Sequence, residues 1–298
     1  MSQKCGYVAV LGAPNAGKST LINQMVGSKV TIVSPKVQTT RNRVLGIALK
    51  GESQLVLIDT PGIFFDAKRR LEKSMVNAAW SALGDSDCVV LVVDAHKRDQ
   101  ALTHEIFEKI YEKGKKIILI LNKIDLVEKD RLLTLMKTFE TEALEKVFMV
   151  SALSGNGVPD VLTYLENRVP DGMWLFPEDQ LSDLPQRLLA AEITREQIFL
   201  TLHDELPYST MVDTESWENF KNGSVKITQT IYVQRESQKA IVVGKGGRKI
   251  KAIGEVARGE MAEAFECVVH LNLRVKVREN WIDTPQHYKM WGLDYNVT

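Results

Sequence analysis

The chain has 298 residues, 44% hydrophobic and 26% charged, which excludes a largely disordered polypeptide and suggests two domains. Its 38 basic side chains balance 38 acidic ones, so any preference for nucleic acid or a membrane surface must come from uneven placement of charge. Cys5, Cys88 and Cys267 lie too far apart for a metal-ligand spacing or a disulfide framework, and no signal-peptide core or membrane-length apolar run occurs. A reducing, cytoplasmic setting is expected.

From residue 7 to 168, short apolar runs at 7–11, 55–58, 88–93, 117–121 and 147–150 alternate with amphipathic stretches. Near-continuous apolar strands between helices predict an α/β fold with a doubly wound, mostly parallel sheet covered on both faces. A further strand at 43–50 is separated from 55–58 by only a short polar stretch. Parallel neighbours need a longer crossover, so this edge strand should run antiparallel. Pro170, Gly172, Pro177 and Pro185, mixed with Asp171, Glu178, Asp179 and Asp183, read as a linker. Beyond it come a helical pattern (188–206), two alternating strands (209–218 and 224–234), two helices (237–243 and 249–266) and a strand (268–277). That α-β-β-α-α-β order is an α+β unit. The expected organisation is a nucleotide-binding domain at 1–170, a linker at 171–187, a second domain at 188–280 and a tail at 281–298.

Gly12-Ala13-Pro14-Asn15-Ala16-Gly17-Lys18-Ser19-Thr20 matches G-x-x-x-x-G-K-[ST] between a predicted strand and helix. Backbone N–H groups converge on phosphate oxygens only where no side chain intrudes, and the following helix adds its positive end. Lys18 is expected to reach the β- and γ-phosphates, and the Ser19 hydroxyl to ligate Mg²⁺. Asp59-Thr60-Pro61-Gly62 ends the strand 55–58, where an acid can hold the same ion and the Gly62 N–H can sense the γ-phosphate. Asn122-Lys123-Ile124-Asp125 follows the strand 117–121. Guanine presents N1–H and N2–H₂ side by side, and the Asp125 carboxylate can accept from both. Lys123 can lay its stem along the purine, and Asn122 can tie the loops together. Ser151-Ala152-Leu153 ends the next strand, placing the Ala152 N–H to meet guanine O6. Four signals in this order, each at a strand's carboxyl end, point to a guanine-nucleotide-binding GTPase domain.

The polar segment 26–43 ends in Gln38-Thr39-Thr40-Arg41-Asn42. A threonine there can complete the Mg²⁺ shell with the γ-phosphate present and let go after hydrolysis; Thr40 is the first choice and Thr39 the reserve. Where small GTPases carry a water-orienting glutamine after D-x-x-G, this chain has Ile63, followed by Phe64 and Phe65. Slow intrinsic hydrolysis is expected. Asn15 can orient toward the phosphates or hold K⁺ there, which places it with Lys18, Thr40 and Gly62 among the groups expected to serve hydrolysis.

Gly244-Lys245-Gly246-Gly247, between Ile241-Val242-Val243 and Ile250, fits the G-x-x-G loop of a KH module, and Arg248 and Lys249 follow it. Residues 225–279 carry eleven basic against six acidic side chains, which suits phosphate contacts. The tail aromatics Trp281, Tyr288, Trp291 and Tyr295 can stack on bases or dock on the protein itself.

Across nearly its whole length the chain resembles the bacterial Era family of GTPases, through the motifs at 12–20, 38–41, 59–62, 122–125, 151–153 and 244–247. No second phosphate loop occurs, which separates it from families with two GTPase domains. The resemblance implies a type II KH domain that binds the 3′ region of 16S ribosomal RNA, a role in assembly of the 30S ribosomal subunit, and peripheral association with the inner face of the cell membrane. A monomer is expected. Two other readings stay open: a GTPase switch whose KH-like unit docks a protein, and an ATPase, against which Asp125 argues.

Overall fold

The computed structural model describes residues 3–297 apart from Gln38, Asn42, 203–205, Asn280, Ile282 and Asp283. Gln38 and Asn42 of the expected switch segment, and residues 203–205 of the expected helix 188–206, fall outside the described residues, and that helix ends at Thr201, where Leu202 turns extended. The chain divides into two compact units, the first comprising Met1–Thr31, Thr40–Asp183 and Trp291–Thr298, the second Ile32–Thr39 and Leu184–Met290.

The first unit holds a six-stranded sheet in the order β2-β3-β1-β4-β5-β6. Its strands are β1 (Lys4–Gly12), β2 (Val44–Lys50), β3 (Ser53–Asp59), β4 (Cys88–Asp94), β5 (Ile117–Asn122) and β6 (Leu144–Val150). Alternation explains the uninterrupted apolar runs. Val8 and Val10 of β1, Val90 and Val92 of β4, and Ile118 and Ile120 of β5 face one core, against α1 (Lys18–Val26) and α5 (Val158–Arg168). Their neighbours Ala9, Leu11, Val89, Leu91, Leu119 and Leu121 face the other, beneath α2 (Arg70–Gly84), α3 (Ala101–Glu112) and α4 (Lys129–Lys137). With both faces buried, no position can be polar without a partner.

β2 returns onto β3 through Gly51 and Glu52 alone and pairs antiparallel, as the short connection required. β1 is parallel to β3 on one side and β4 on the other. The winding therefore reverses at β1, and its carboxyl end is the crevice in which open α/β sheets take ligands.

The proline- and acid-rich stretch after α5 is fastened to the sheet margin. Ile47 N donates to Leu181 O at 2.9 Å, and Leu45 N to Asp183 Oδ1 at 2.8 Å. The fully buried Gln54 accepts from Leu175 N and Phe176 N and donates to Phe176 O. The bonds of Leu45 and Ile47 occupy the open edge of β2.

The second unit begins with α6 (Gln186–Thr201), then β7 (Met211–Asn219), β8 (Val225–Val233), α7 (Glu236–Val243), α8 (Arg248–Ala264) and β9 (Val269–Val277), followed by α9 (Pro285–Met290). β7 and β8 are antiparallel and β8 and β9 parallel, the expected α-β-β-α-α-β arrangement. Ile193 of α6 and Ala257 and Met261 of α8 pack with Ile227 and Val269 of the sheet. The residues 32–39 also pack here: Val33 N donates to Glu196 Oε1 at 2.8 Å, the Lys36 ammonium donates to Leu202 O, and the Arg195 guanidinium to Thr39 O. Trp281 and Tyr288 are fully buried, and Trp281 Nε1 donates to Ser209 O. Of the two roles open to the tail aromatics, these two dock on the protein, because a large ring gains more from burial than from exposure to water.

Candidate functional site

At the carboxyl end of β1 the loop 12–17 turns through positive φ at Gly12, Asn15 and Gly17 before α1 begins at Lys18. Gly17 has no allowed substitute: a Cβ there would lie 2.2 Å from Asn122 Nδ2, and φ is 96°. Asn122 needs that closeness. Its Nδ2 donates to Ala16 O at 2.9 Å and its Oδ1 accepts from Ala152 N at 2.9 Å. One amide thus joins the loop 12–17, the end of β5 and the loop after β6, as its sequence position suggested. The Ala152 N–H, expected to meet guanine O6, donates here to Asn122 Oδ1.

Lys18 is buried, with Nζ donating to Gly12 O and Ala13 O. Asp59, also fully buried, ends β3 beside the loop. Its Oδ2 accepts from Ser19 Oγ at 2.8 Å, Thr31 Oγ1 at 2.8 Å and Thr40 Oγ1 at 3.2 Å, and Ser19 Oγ lies 2.9 Å from Thr40 Oγ1. The structure brings the expected trio of Ser19, Thr40 and Asp59 together. Thr39, the reserve, bonds Ser34 Oγ and Lys36 O in the second unit.

Thr31 was not anticipated. A lone threonine in a polar stretch has no spacing to mark it, and only Asn23, whose Oδ1 accepts from Val30 N and Thr31 N, fixes its backbone. Asp59 Oδ1 is buried and has no hydrogen-bond partner, and burial raises the carboxyl pKa against the opposing pull of three hydroxyls and Lys18. A carboxylate oxygen left open beside hydroxyl oxygens fits Mg²⁺, a hard cation that takes one or two carboxylates and completes its shell with phosphate and water. Among the described residues no cluster of three His, Cys, Asp or Glu side chains competes as a metal site.

Ile63 is fully buried and its N–H donates to Gly12 O at 3.1 Å. Lys123 pairs with Asp94 at 2.6 Å, and Asp125 stands exposed in the turn Ile124–Leu126. Leu153 is exposed.

In the second unit α7 ends at Val243 and α8 starts at Arg248, with positive φ at Gly244, Gly246 and Gly247 between them. A Cβ on Gly244 would lie 2.7 Å from Lys249 Cβ, so the tight joint depends on that glycine. Lys245 and Arg248 are exposed, and Lys249 is half-buried. Beside the loop, Ile250, Gly254, Leu271 and Leu273 line a groove of about 270 Å³ rimmed by Lys251, Glu255 and Arg258.

A phosphate loop, a buried carboxylate ringed by hydroxyls and an N-K-x-D turn, all at the reversal point of a doubly wound sheet, define a GTPase of the P-loop class that carries a KH module. A family described as 50S ribosome-binding GTPase matches residues 7–123, and one described as KH domain matches residues 205–282. GTPase Era of Maricaulis maris is 49% identical over 310 residues, covering 99% of this chain and 98% of that protein, and GTPase Era of Sinorhizobium medicae is 52% identical over 293 residues, covering 98% and 94%. The crystal structure of Era in complex with MgGDPNP and nucleotides 1506-1542 of 16S ribosomal RNA superposes with a TM-score of 0.90 at 36% identity, over 97% of this chain and 99% of that one. A variant of Aquifex aeolicus Era bound to GDP.AlF4- gives a TM-score of 0.91 at 36% identity and the same coverage. The chain belongs to the Era family of GTPases.

Burial pushes the Lys18 ammonium down to about 8 from its ordinary 10.5, only partly opposed by Asp59. Between those values the unfolded chain holds a proton that the folded chain has released, so stability rises with pH across the window. Below it, the buried charge costs roughly 3 kcal/mol relative to solvated lysine. Lys18→Met is therefore expected to be more stable than the native chain at pH 7 by up to that amount, with the gap closing as pH passes 8 toward 10. Urea denaturation without nucleotide measures it.

Proposed function

We propose that this chain binds GTP and GDP with Mg²⁺ in its first unit, hydrolyses GTP slowly, and uses its KH unit to hold the 3′ region of 16S ribosomal RNA during assembly of the 30S ribosomal subunit. The observation that carries the reading is the convergence of Ser19, Thr40 and Asp59, from three separate segments, at the carboxyl end of the strand that carries the phosphate loop.

In this reading residues 12–18 enclose the phosphates, with Lys18 countering their charge, and Ser19, Thr40 and Asp59 hold Mg²⁺. The ion, when bound, neutralises charge on the β- and γ-phosphates. Thr20, Thr60 and Pro61 shape the cradle, and Gly62 offers its N–H to the γ-phosphate. Asn122, Lys123 and Asp125 take the base, and 151–153 close over it. Ile63 is walled into the core and cannot hold the attacking water, which supports a slow intrinsic rate. The division proposed is 1–170 for GTP, 171–187 as connection, 188–280 for RNA and 281–298 as tail, with the connection up to Asp183 and the last residues from Trp291 packed in the first compact unit. A monomer in the cytoplasm, touching the inner face of the cell membrane peripherally, completes the proposal. No helix among the described residues is long and apolar enough to cross a membrane.

For RNA, the positive-φ loop at 244–247 leaves the first amides of α8 open to phosphate, with Lys245, Arg248 and Lys249 around it. The apolar floor of the adjoining groove suits bases laid flat.

Three measurements test these assignments. Asp125→Asn is expected to move the nucleotide preference from GTP toward xanthosine triphosphate, since the amide offers a donor where the carboxylate accepted; an unchanged preference in competition binding would place the base elsewhere. Lys245→Asp combined with Gly246→Asp should weaken binding of the 16S 3′ RNA on the order of 100-fold while GTP affinity holds, and native binding should fall steeply with salt. A shallow salt dependence instead favours a docked protein. Finally, K⁺ should accelerate hydrolysis relative to Na⁺, and Asn15→Ala should erase the difference in a turnover assay.

A further inference from the structure

The last residues of the chain lie against the nucleotide-binding unit. Trp291 and Leu293 are buried, and Trp291–Thr298 belongs to the first compact unit. Two of its partners lie one turn apart on α2, the helix that follows the Asp59–Gly62 motif. The fully buried Ser74 Oγ is 2.6 Å from the Asp294 carbonyl and 3.0 Å from that of Arg70, which share its one proton. The Arg70 guanidinium lies over the Tyr295 ring, 4.4 Å from its centre, and donates to the Tyr295 hydroxyl. A third partner is Arg41, itself buried, whose guanidinium stands 6.0 Å from the centre of the Trp291 ring.

Arg41 adjoins Thr40, and Thr40 bonds Asp59. Within five consecutive residues, Trp291 to Tyr295, the chain thus touches Arg41, which adjoins Thr40, and the first turns of α2, which follow the Asp59–Gly62 motif after residues 63–69. We propose that this stretch is a strap that positions Thr40 and α2 together, and that Tyr295 and Trp291 are positioning residues for GTP hydrolysis. A strap of this kind acts through two segments that change with the γ-phosphate, so it should affect the transition state more than GDP binding. A guanidinium over a ring is also a contact whose loss is felt without opening a core. The inference rests on the site assigned above.

The test uses the full chain. Tyr295→Ala is expected to lower the single-turnover hydrolysis rate at saturating GTP roughly 3- to 30-fold, with GDP affinity changed by less than about twofold and the thermal midpoint essentially kept. Tyr295→Phe, which keeps the ring over Arg70, should restore most of the rate. Ser74→Ala, which removes the bond to Asp294, should slow hydrolysis in the same direction. An unchanged rate in Tyr295→Ala overturns the proposal. So does a parallel loss of rate, GDP affinity and midpoint, which would mark a merely structural contact. Loss of GDP affinity in the native chain on Asp59→Ala, measured alongside, tells failure of the strap apart from failure of the site itself.

Discussion

The first unit is organised around a single buried carboxylate. Taking an ionised carboxyl out of water is costly unless donors replace the solvent, and three hydroxyls converge on Asp59 Oδ2 to do so. They come from different places: Ser19 from the start of α1, Thr31 from the stretch fixed by Asn23, and Thr40 from near the far end of the switch segment. With one oxygen saturated and the other without a partner, the group is held in place yet electrostatically incomplete. A cation shared with phosphate would meet that deficit, and the same hydroxyls that now donate would present oxygen lone pairs to it. Thr31 and Thr40 also flank Ile32–Thr39, which packs with α6 in the second unit. Thr31 and Thr40 thus bracket a segment that Glu196 holds at Val33 and Arg195 holds at Thr39.

Asn122 does for the base side what Asp59 does for the metal side. Its amide spends both ends on backbone, one on Ala16 O and one on Ala152 N. The loop that wraps phosphate and the loop after β6 are consequently positioned by one side chain. Gly17 is the residue that lets it pass. Lys123 adds the ion pair with Asp94, so the end of β4 is drawn into the same frame. Asp125 alone among these groups stays exposed, as a residue that must meet a purine edge has to be.

What could be read in the sequence followed from short-range rules. Both faces of β1, β4 and β5 are covered, so their apolar runs are continuous, and the Gly51-Glu52 connection is too short for anything but an antiparallel return. The motifs at 12–20, 59–62 and 122–125 were legible because phosphate and guanine impose fixed spacing on the groups that meet them. What stayed hidden depends on partners far along the chain. Gln54 fastens Phe176 across more than a hundred residues, turning a stretch with the composition of a linker into an edge cover. Thr31 reaches Asp59 only because Asn23 bends the backbone after α1. The Ala152 N–H is claimed by a side chain on another strand, and the burial of Trp281 and Trp291 reflects docking that no local pattern encodes.

The environment of Ile63 bears on how such an enzyme keeps time. Its side chain is sealed in the core beneath α2, and its N–H is given to Gly12 O. Nothing at this position can hold a water for attack, and the backbone that follows Gly62 is pinned to the phosphate loop itself. On the reading proposed above, barrier lowering comes from where groups stand when GTP is present: Lys18 and Asn15 in the phosphate loop, Thr40 on Asp59, and the Gly62 amide. The segments carrying Thr40 and the first turns of α2 are secured by contacts of a few hydrogen bonds and stacked charges at Arg41, Arg70 and Ser74, which are weak enough to be shifted by binding events elsewhere. A catalytic glutamine would make hydrolysis a property of one side chain. On the proposed reading, a buried isoleucine at that place makes hydrolysis depend on how the surrounding segments are held.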